Sequence, residues 1–167
     1  MPDSILEPMA RELAALLKSN KQTVAVSESS AAGLISAALL AQAGASAYFL
    51  GGGVVYTGPA RELFLGLPPQ LPSEVRSSSE PYAALLAETT RQKFGATWGL
   101  AETGAAGPTG NRYGDKAGHT CIAVAGPVSA VMTLETGDDA REDNMWVFTQ
   151  TALDKLHECV VAQGSQA

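Results

Sequence analysis

The alternation of apolar and polar positions divides the chain into helices and short strands. Leu6, Met9, Leu13, Leu16 and Leu17 recur at helical spacing and put one apolar stripe on residues 4–19. Ser4-Ile5-Leu6-Glu7 opens that helix with a capping-box pattern, Pro8 is tolerated in its first turn, and Asn20-Lys21 closes it. Val24-Ala25-Val26 is a brief β-prone run. It passes at once into the polar turn Ser27-Glu28-Ser29-Ser30 and then into a helix over Ala31–Leu40, apolar on a broad face through Leu34, Ile35, Ala38 and Leu39. Gly44-Ala45-Ser46-Ala47 breaks the pattern. Gly51–Tyr56 predicts a second strand whose glycines let another group approach the backbone closely.

Gly58-Pro59 marks a turn or helix start, and Ala60–Leu65 a short helix. Leu67-Pro68-Pro69-Gln70-Leu71-Pro72 is incompatible with regular helix or central strand and reads as a rigid connector. Ser79 caps the next helix, Tyr82, Leu85, Leu86 and Phe94 give it an apolar side, and Gly95 stops it. Thr97–Leu100 is the third predicted strand. Residues 102–118 form a long glycine-rich loop, of a length that in compact domains is usually functional or disordered. Thr120–Ala125 and Ala130–Leu134, joined by Gly126-Pro127, predict an antiparallel hairpin. Asp138 or Asp139 caps a last helix with Trp146, Thr149, Leu153, Leu156 and Val160 on its buried side, and residues 163–167 are a frayed tail.

This order of elements predicts an α/β fold: a three-layer α/β/α sandwich with a mixed central sheet, as a single domain over residues 1–167. Ligands in open α/β sheets sit beyond the strand C-termini. That rule brings Ser27–Ser30, Tyr56 and Thr103–Thr109 to one sheet edge, because each follows a predicted strand.

Composition narrows the function. A hydrophobic share of 46% over 167 residues supports a real core, and a net charge of −6 without a Lys/Arg cluster argues against a nucleic-acid partner while leaving room for one local phosphate pocket. No apolar run approaches the roughly 20 residues that cross a membrane, so no membrane partner is expected. The N-terminus lacks the basic-then-apolar order of a signal peptide. Cys121 and Cys159 form no CxxC pair and read as buried thiols of a reducing cytoplasm. His119 and His157 are too few and too scattered for a metal site, and neither metal nor cofactor is expected.

The candidate chemistry lies in the three converging segments. A strand ending in hydroxyls at a helix start offers unpaired backbone N–H groups to an anion. Ser29 and Ser30 are therefore candidates to hold a carboxamide or phosphate, and equally to cap the helix at Ala31; Glu28 holds the loop or acts as an acid. Thr103-Gly104-Ala105-Ala106-Gly107-Pro108-Thr109-Gly110 could present backbone N–H groups to a phosphate or ribose, or be a plain turn. It is neither a Walker P-loop nor a GxGxxG fingerprint.

The blocks ESSAAG at 28–33, GAS at 44–46, GGGVVY at 51–56, SEP at 79–81 and TGAAGPTG at 103–110 resemble the CinA C-terminal domain family, in the family's order and over most of the chain. The resemblance implies a nicotinamide mononucleotide deamidase, an amidohydrolase that converts the carboxamide to the acid and ammonia. It implies Ser46 as nucleophile, Tyr56 as relay and position 61 as a lysine, where this chain has Arg61. It implies a nucleotide held by Glu28, Ser29, Ser30, Thr103, Gly104, Ala105, Gly107 and Thr109, with Arg141 as a phosphate partner. Arginine cannot serve as a general base, so Arg61 is expected to orient phosphate or stabilise an oxyanion. Ser46 as a helix cap, Tyr56 as a packed strand-end residue and Arg141 in a surface pair stand as alternatives; His119 is a further candidate base. Asn111-Arg112-Tyr113-Gly114 departs from the family's usual continuation. The competing functions are a catalytically impaired nucleotide-binding or interaction module, and a role tied to competence or DNA damage, against whose direct DNA contact the acidic charge argues. Relatives often form dimers, so a homo-oligomer is among the implied partners.

Overall fold

β1 (Val24–Glu28) is buried at every position because strands flank it on both sides and helices cover both faces of the sheet. In the computed structural model, which describes residues 4–165, the sheet order is β2-β1-β3-β4-β5. β2 (Phe49–Val54) and β3 (Trp98–Ala105) run parallel to β1; β4 (His119–Ala125) and β5 (Ala130–Glu135) form the expected antiparallel hairpin beside β3. α1 (Leu6–Asn20), α2 (Leu34–Leu40) and α5 (Arg141–Gly164) cover one face around Leu17, Ile35, Trp98, Leu153 and Leu156. α3 (Gly58–Leu65) and α4 (Glu80–Phe94) cover the other around Tyr82, Leu86 and Cys121. The predicted three-layer α/β/α sandwich with a mixed sheet is the observed fold.

Several boundaries move, each for a local reason. α1 starts at Leu6; Ser4 Oγ accepts the Glu7 N–H at 3.1 Å, but the Glu7 carboxylate turns to Arg11, so only half of the capping box forms. α2 starts at Leu34 rather than Ala31, since Ala32 and Gly33 both have positive φ, 58° and 98°, and cannot continue a helix. Neither Ser29 nor Ser30 caps α2. β3 continues past Leu100 to Ala105, so Thr103, Gly104 and Ala105 are paired strand residues, not loop. A Cβ on Gly104 would lie 2.3 Å from the His119 carbonyl oxygen; this glycine serves strand packing. α3 and α4 are capped by Thr57 and Ser79, whose hydroxyls accept the Ala60 and Tyr82 N–H groups. α5 begins after Ala140 without a side-chain cap from Asp138 or Asp139 and extends through the predicted tail to Gly164; positions 166–167 lie outside the described residues. Trp146 is only half-buried.

The glycines of β2 admit a ring of the same chain. A Cβ on Gly51 would meet the Phe94 ring at 2.5 Å. After β1 the chain crosses to the α2 face and after β2 to the α3 face, which opens a crevice at the strand C-termini. Among the described residues, no helix is long and apolar enough to cross a membrane.

Candidate functional site

Two buried carboxylates organise the crest. Glu28, at 1% exposure, accepts the N–H groups of Gly33, Ile35 and Ser36 at 3.0, 2.9 and 2.8 Å. Glu102 is fully buried and accepts from Ser29 N at 3.1 Å, Ala31 N at 2.8 Å, Thr120 Oγ1 at 2.8 Å and Ser30 Oγ. Burial pushes the Glu102 pKa up, and the four donors act against that rise. The backbone donors expected to receive an external anion are thus taken by the chain's own carboxylates. Glu28 and Ser30 are internal braces. Ser29 is half-buried, and among the described residues its hydroxyl makes no hydrogen bond.

Ser46 does not join this crest. It is exposed in a 3-10 turn, Ala45–Ala47, that enters β2 at its N-terminal end, whereas Tyr56 follows the C-terminal end. Six strand residues separate the two ends by about 20 Å. Within one chain Ser46 therefore cannot act with Tyr56, and its hydroxyl caps nothing.

Tyr56, Gly107 and Arg141 do meet. Arg141, the first residue of α5, donates from Nη1 to the Gly107 carbonyl at 2.5 Å and from Nη2 to the Tyr56 hydroxyl at 3.4 Å. Asn144, one turn further on, donates to the Ala106 carbonyl at 2.8 Å. The glycine-rich loop thus turns two carbonyls toward α5. Gly107 has φ 119°, and a Cβ there would meet the Asp139 carbonyl oxygen at 2.6 Å. Thr109 is exposed, and Thr103 is buried with Oγ1 accepting the Ser78 N–H at 3.2 Å. Thr103 and Gly104 thus pack inward, against Ser78 and against His119 and Thr120 of β4.

Arg61 is committed elsewhere. It is 5% exposed and donates from Nε to the Pro68 carbonyl at 3.0 Å, from Nη1 to the Tyr82 hydroxyl at 3.3 Å, and from Nη2 to the Pro69 carbonyl. The guanidinium also lies 5.5 Å from the Tyr82 ring centroid. Arg61 is the clamp that holds the proline-rich connector on α4, and its donors are spent on carbonyls rather than on an oxyanion.

That clamp forms one wall of a groove of about 360 Å³ that also takes in Arg76, Ser77, Arg112 and Tyr113. The Arg76 and Arg112 guanidiniums each lie 5.0 Å from the Tyr113 ring centroid. Arg112 also donates to the Tyr113 hydroxyl at 2.9 Å, and this bond outweighs partial burial and lowers that phenol's pKa. Arg76 makes a two-point pair with Asp115, at 2.7 and 3.0 Å. Burial pushes the Asp115 carboxyl up, but the Arg76 and Asn111 hydrogen bonds prevail and hold it below its ordinary value. Three guanidiniums against one carboxylate leave the groove positive. A wider depression of about 1070 Å³ beyond the same loop is lined by Asp115, Glu135, Asp138 and Asp139 against Lys116, and repels phosphate.

His119 pins the crest from the hairpin side. Nδ1 faces Glu135 Oε1 at 2.5 Å, Nε2 faces the Ser78 carbonyl at 2.8 Å, and Asp115 Oδ2 lies 3.7 Å away. Burial lowers the His119 pKa, yet these acceptors outweigh it and raise it above the ordinary value. Both nitrogens face acceptors of the chain itself, an arrangement that favours the protonated ring over the free base. Cys121, 3.7 Å from Nε2, is buried, and burial raises its thiol pKa.

Sequence reasoning did not find Glu102, Arg76, Asp115 or Asn144, because each acts through partners remote in sequence. Glu102, a carboxylate in an otherwise apolar run, carried the one local signal.

These features define an α/β protein with an anion-compatible groove at the crest of a mixed sheet. The chain belongs to the CinA C-terminal domain family, whose profile matches residues 6–160. It is 34% identical over 159 residues to a CinA-like protein of Parasynechococcus marenigrum (strain WH8102), covering 94% of this chain and 38% of that protein. It is 35% identical over 158 residues to a CinA-like protein of Gloeobacter violaceus, covering 93% and 37%. The chain thus spans a little over a third of the length of these relatives. Its fold matches the competence/damage inducible protein CihA from Agrobacterium tumefaciens with a TM-score of 0.82 at 26% identity over 98% of each chain. It matches a competence-damaged protein (CinA) superfamily protein from Escherichia coli at 0.84 and 23% identity, over 93% of this chain and 91% of that one.

Proposed function

We propose that the chain binds a small phosphorylated nucleotide at the crest, its phosphate in the Arg76–Arg112 groove, with nicotinamide mononucleotide as the ligand to test first. One observation carries this reading: in a chain of net charge −6, three of the six arginines line a single groove. Arg112 is exposed and has no carboxylate partner among the described residues. A guanidinium in that state gains a charge-assisted pair from a phosphate.

The chemistry implied by the family resemblance is hydrolysis of the carboxamide. Ser29 takes the place of Ser46 for that step, because it follows β1 at the crest with its hydroxyl uncommitted. Attack by Ser29 Oγ on the carboxamide carbon would form an ester and release ammonia, and water would then cleave the ester. A serine needs a proton acceptor to do this. Arg61 cannot provide one and is fully engaged; both His119 nitrogens are turned to Glu135 and the Ser78 carbonyl. These two observations favour a second reading, in which the chain retains the nucleotide without hydrolysing it.

Binding and ammonia release measured on the same preparation separate the readings. Binding with ammonia release supports the amidohydrolase, and binding alone supports the module. Failure to bind either nicotinamide mononucleotide or inorganic phosphate overturns both.

A further inference from the structure

A small cavity of about 70 Å³ lies between the β1–β2 side of the sheet and the α3–α4 layer. It is independent of the arginine groove, with which it shares no lining residue. Ser27 from β1 and Thr90 from α4 both line it, and each is 1% exposed. Among the described residues, Ser27 Oγ and Thr90 Oγ1 are the two buried side-chain polar atoms without a hydrogen-bond partner. A buried hydroxyl left unpaired is costly, and natural cores rarely keep one. Two of them bordering the same space point to an occupant.

The walls define its chemistry. No titratable side chain borders the cavity, which excludes a charged molecule. Away from the two hydroxyls, the lining side chains on this face are Val55, Leu65 and the Phe64 and Phe94 rings, and Gly52 and Gly53 contribute backbone. The volume would hold about two waters at their liquid share of space, but a stable buried water needs two to four polar partners. Two hydroxyls suffice for one polar head and leave the other half of the space facing carbon. Phe64 and Phe94 are 55% and 45% exposed, so their rings lie between the cavity and solvent. Gly51 and Gly53 leave the strand surface bare beneath them.

We propose that this cavity is a binding site for a small neutral molecule with a hydroxyl or carboxamide head and a two- or three-carbon tail. The head exchanges hydrogen bonds with Ser27 and Thr90, and the tail packs against the phenylalanines. Nothing in the nucleotide reading is required for it.

The test is a chemical-shift titration of the full chain with propionamide and 1-propanol, and with propionate as the charged isostere. Saturable shifts centred on Ser27, Gly53 and Thr90 for the amide and the alcohol, with none for propionate, support the site. Thr90→Val keeps side-chain shape and should weaken binding by several-fold, and Ser27→Ala with Thr90→Val by about tenfold or more. Gly53→Ala adds a methyl 4.0 Å from Phe64 Cγ, without a clash, and should abolish binding by filling the space. Shifts that never saturate, equal response to propionate, or binding unchanged in both Thr90→Val and Gly53→Ala would overturn the proposal and leave a cavity holding water only.

Discussion

Glu28 closes the start of α2 by accepting the Ser36 N–H at 2.8 Å, eight residues downstream in the chain. The same carboxylate receives Gly33 and Ile35, so one buried anion satisfies three orphan donors of the helix. Glu28→Gln keeps one acceptor oxygen but turns an NH₂ toward donors. It should cost about 2 kcal/mol by urea denaturation. Unchanged stability would mean that the cap is dispensable.

Arg61→Lys tests the clamp. A lysine offers one point charge where the guanidinium reaches two carbonyls and a hydroxyl. The substitution should lower stability by about 1–2 kcal/mol. It should also speed amide hydrogen exchange in residues 67–72, read by mass spectrometry. Exchange unchanged in that connector would show that Arg61 does not hold it.

His119 gives stability a pH dependence of defined sign. Its folded-state pKa lies above the ordinary value, held there by Glu135, the Ser78 carbonyl and Asp115. The contribution is complete below about pH 6.5 and is lost as pH rises through the folded value. Asp115 works in the opposite direction, its depressed pKa giving stability above about pH 3.9 that is lost on acidification through the folded value. Between pH 6 and 8.5 urea midpoints should fall, and His119→Gln should flatten that slope. A slope that survives the substitution would assign it elsewhere.

Cys121 and Cys159 are both buried free thiols, and burial raises the pKa of each. Reaction with a thiol reagent should therefore be slow in the folded chain and complete in denaturant. Rapid labelling under native conditions would contradict the packing around β4 and α5.

The fold was legible because strands and helices carry their own periodicity. The helix ends at Gly95, the caps at Ser79 and the β4–β5 hairpin all rest on contacts within a few residues. The crest was legible only in outline. That Ser29, Tyr56 and Gly107 share one end of the sheet follows from strand direction, and so does the exile of Ser46, which precedes β2 instead of following it. What Arg61 does depends on Pro68, Pro69 and Tyr82 folding back over it, and the Arg76–Asp115 pair spans 39 residues. No local pattern reports contacts of that kind. Glu28 and Glu102 show the same limit, since their partners are backbone donors whose positions only the folded chain fixes.

Isothermal titration of the full chain with nicotinamide mononucleotide reads occupancy of the arginine groove. Arg112 is exposed and holds no structural bond beyond its tyrosine neighbour, so Arg112→Gln should leave the fold intact. Saturable binding is expected, weakening about tenfold or more in Arg112→Gln. Equal affinity in the two proteins, or no heat of binding in either, would contradict a phosphate site in that groove.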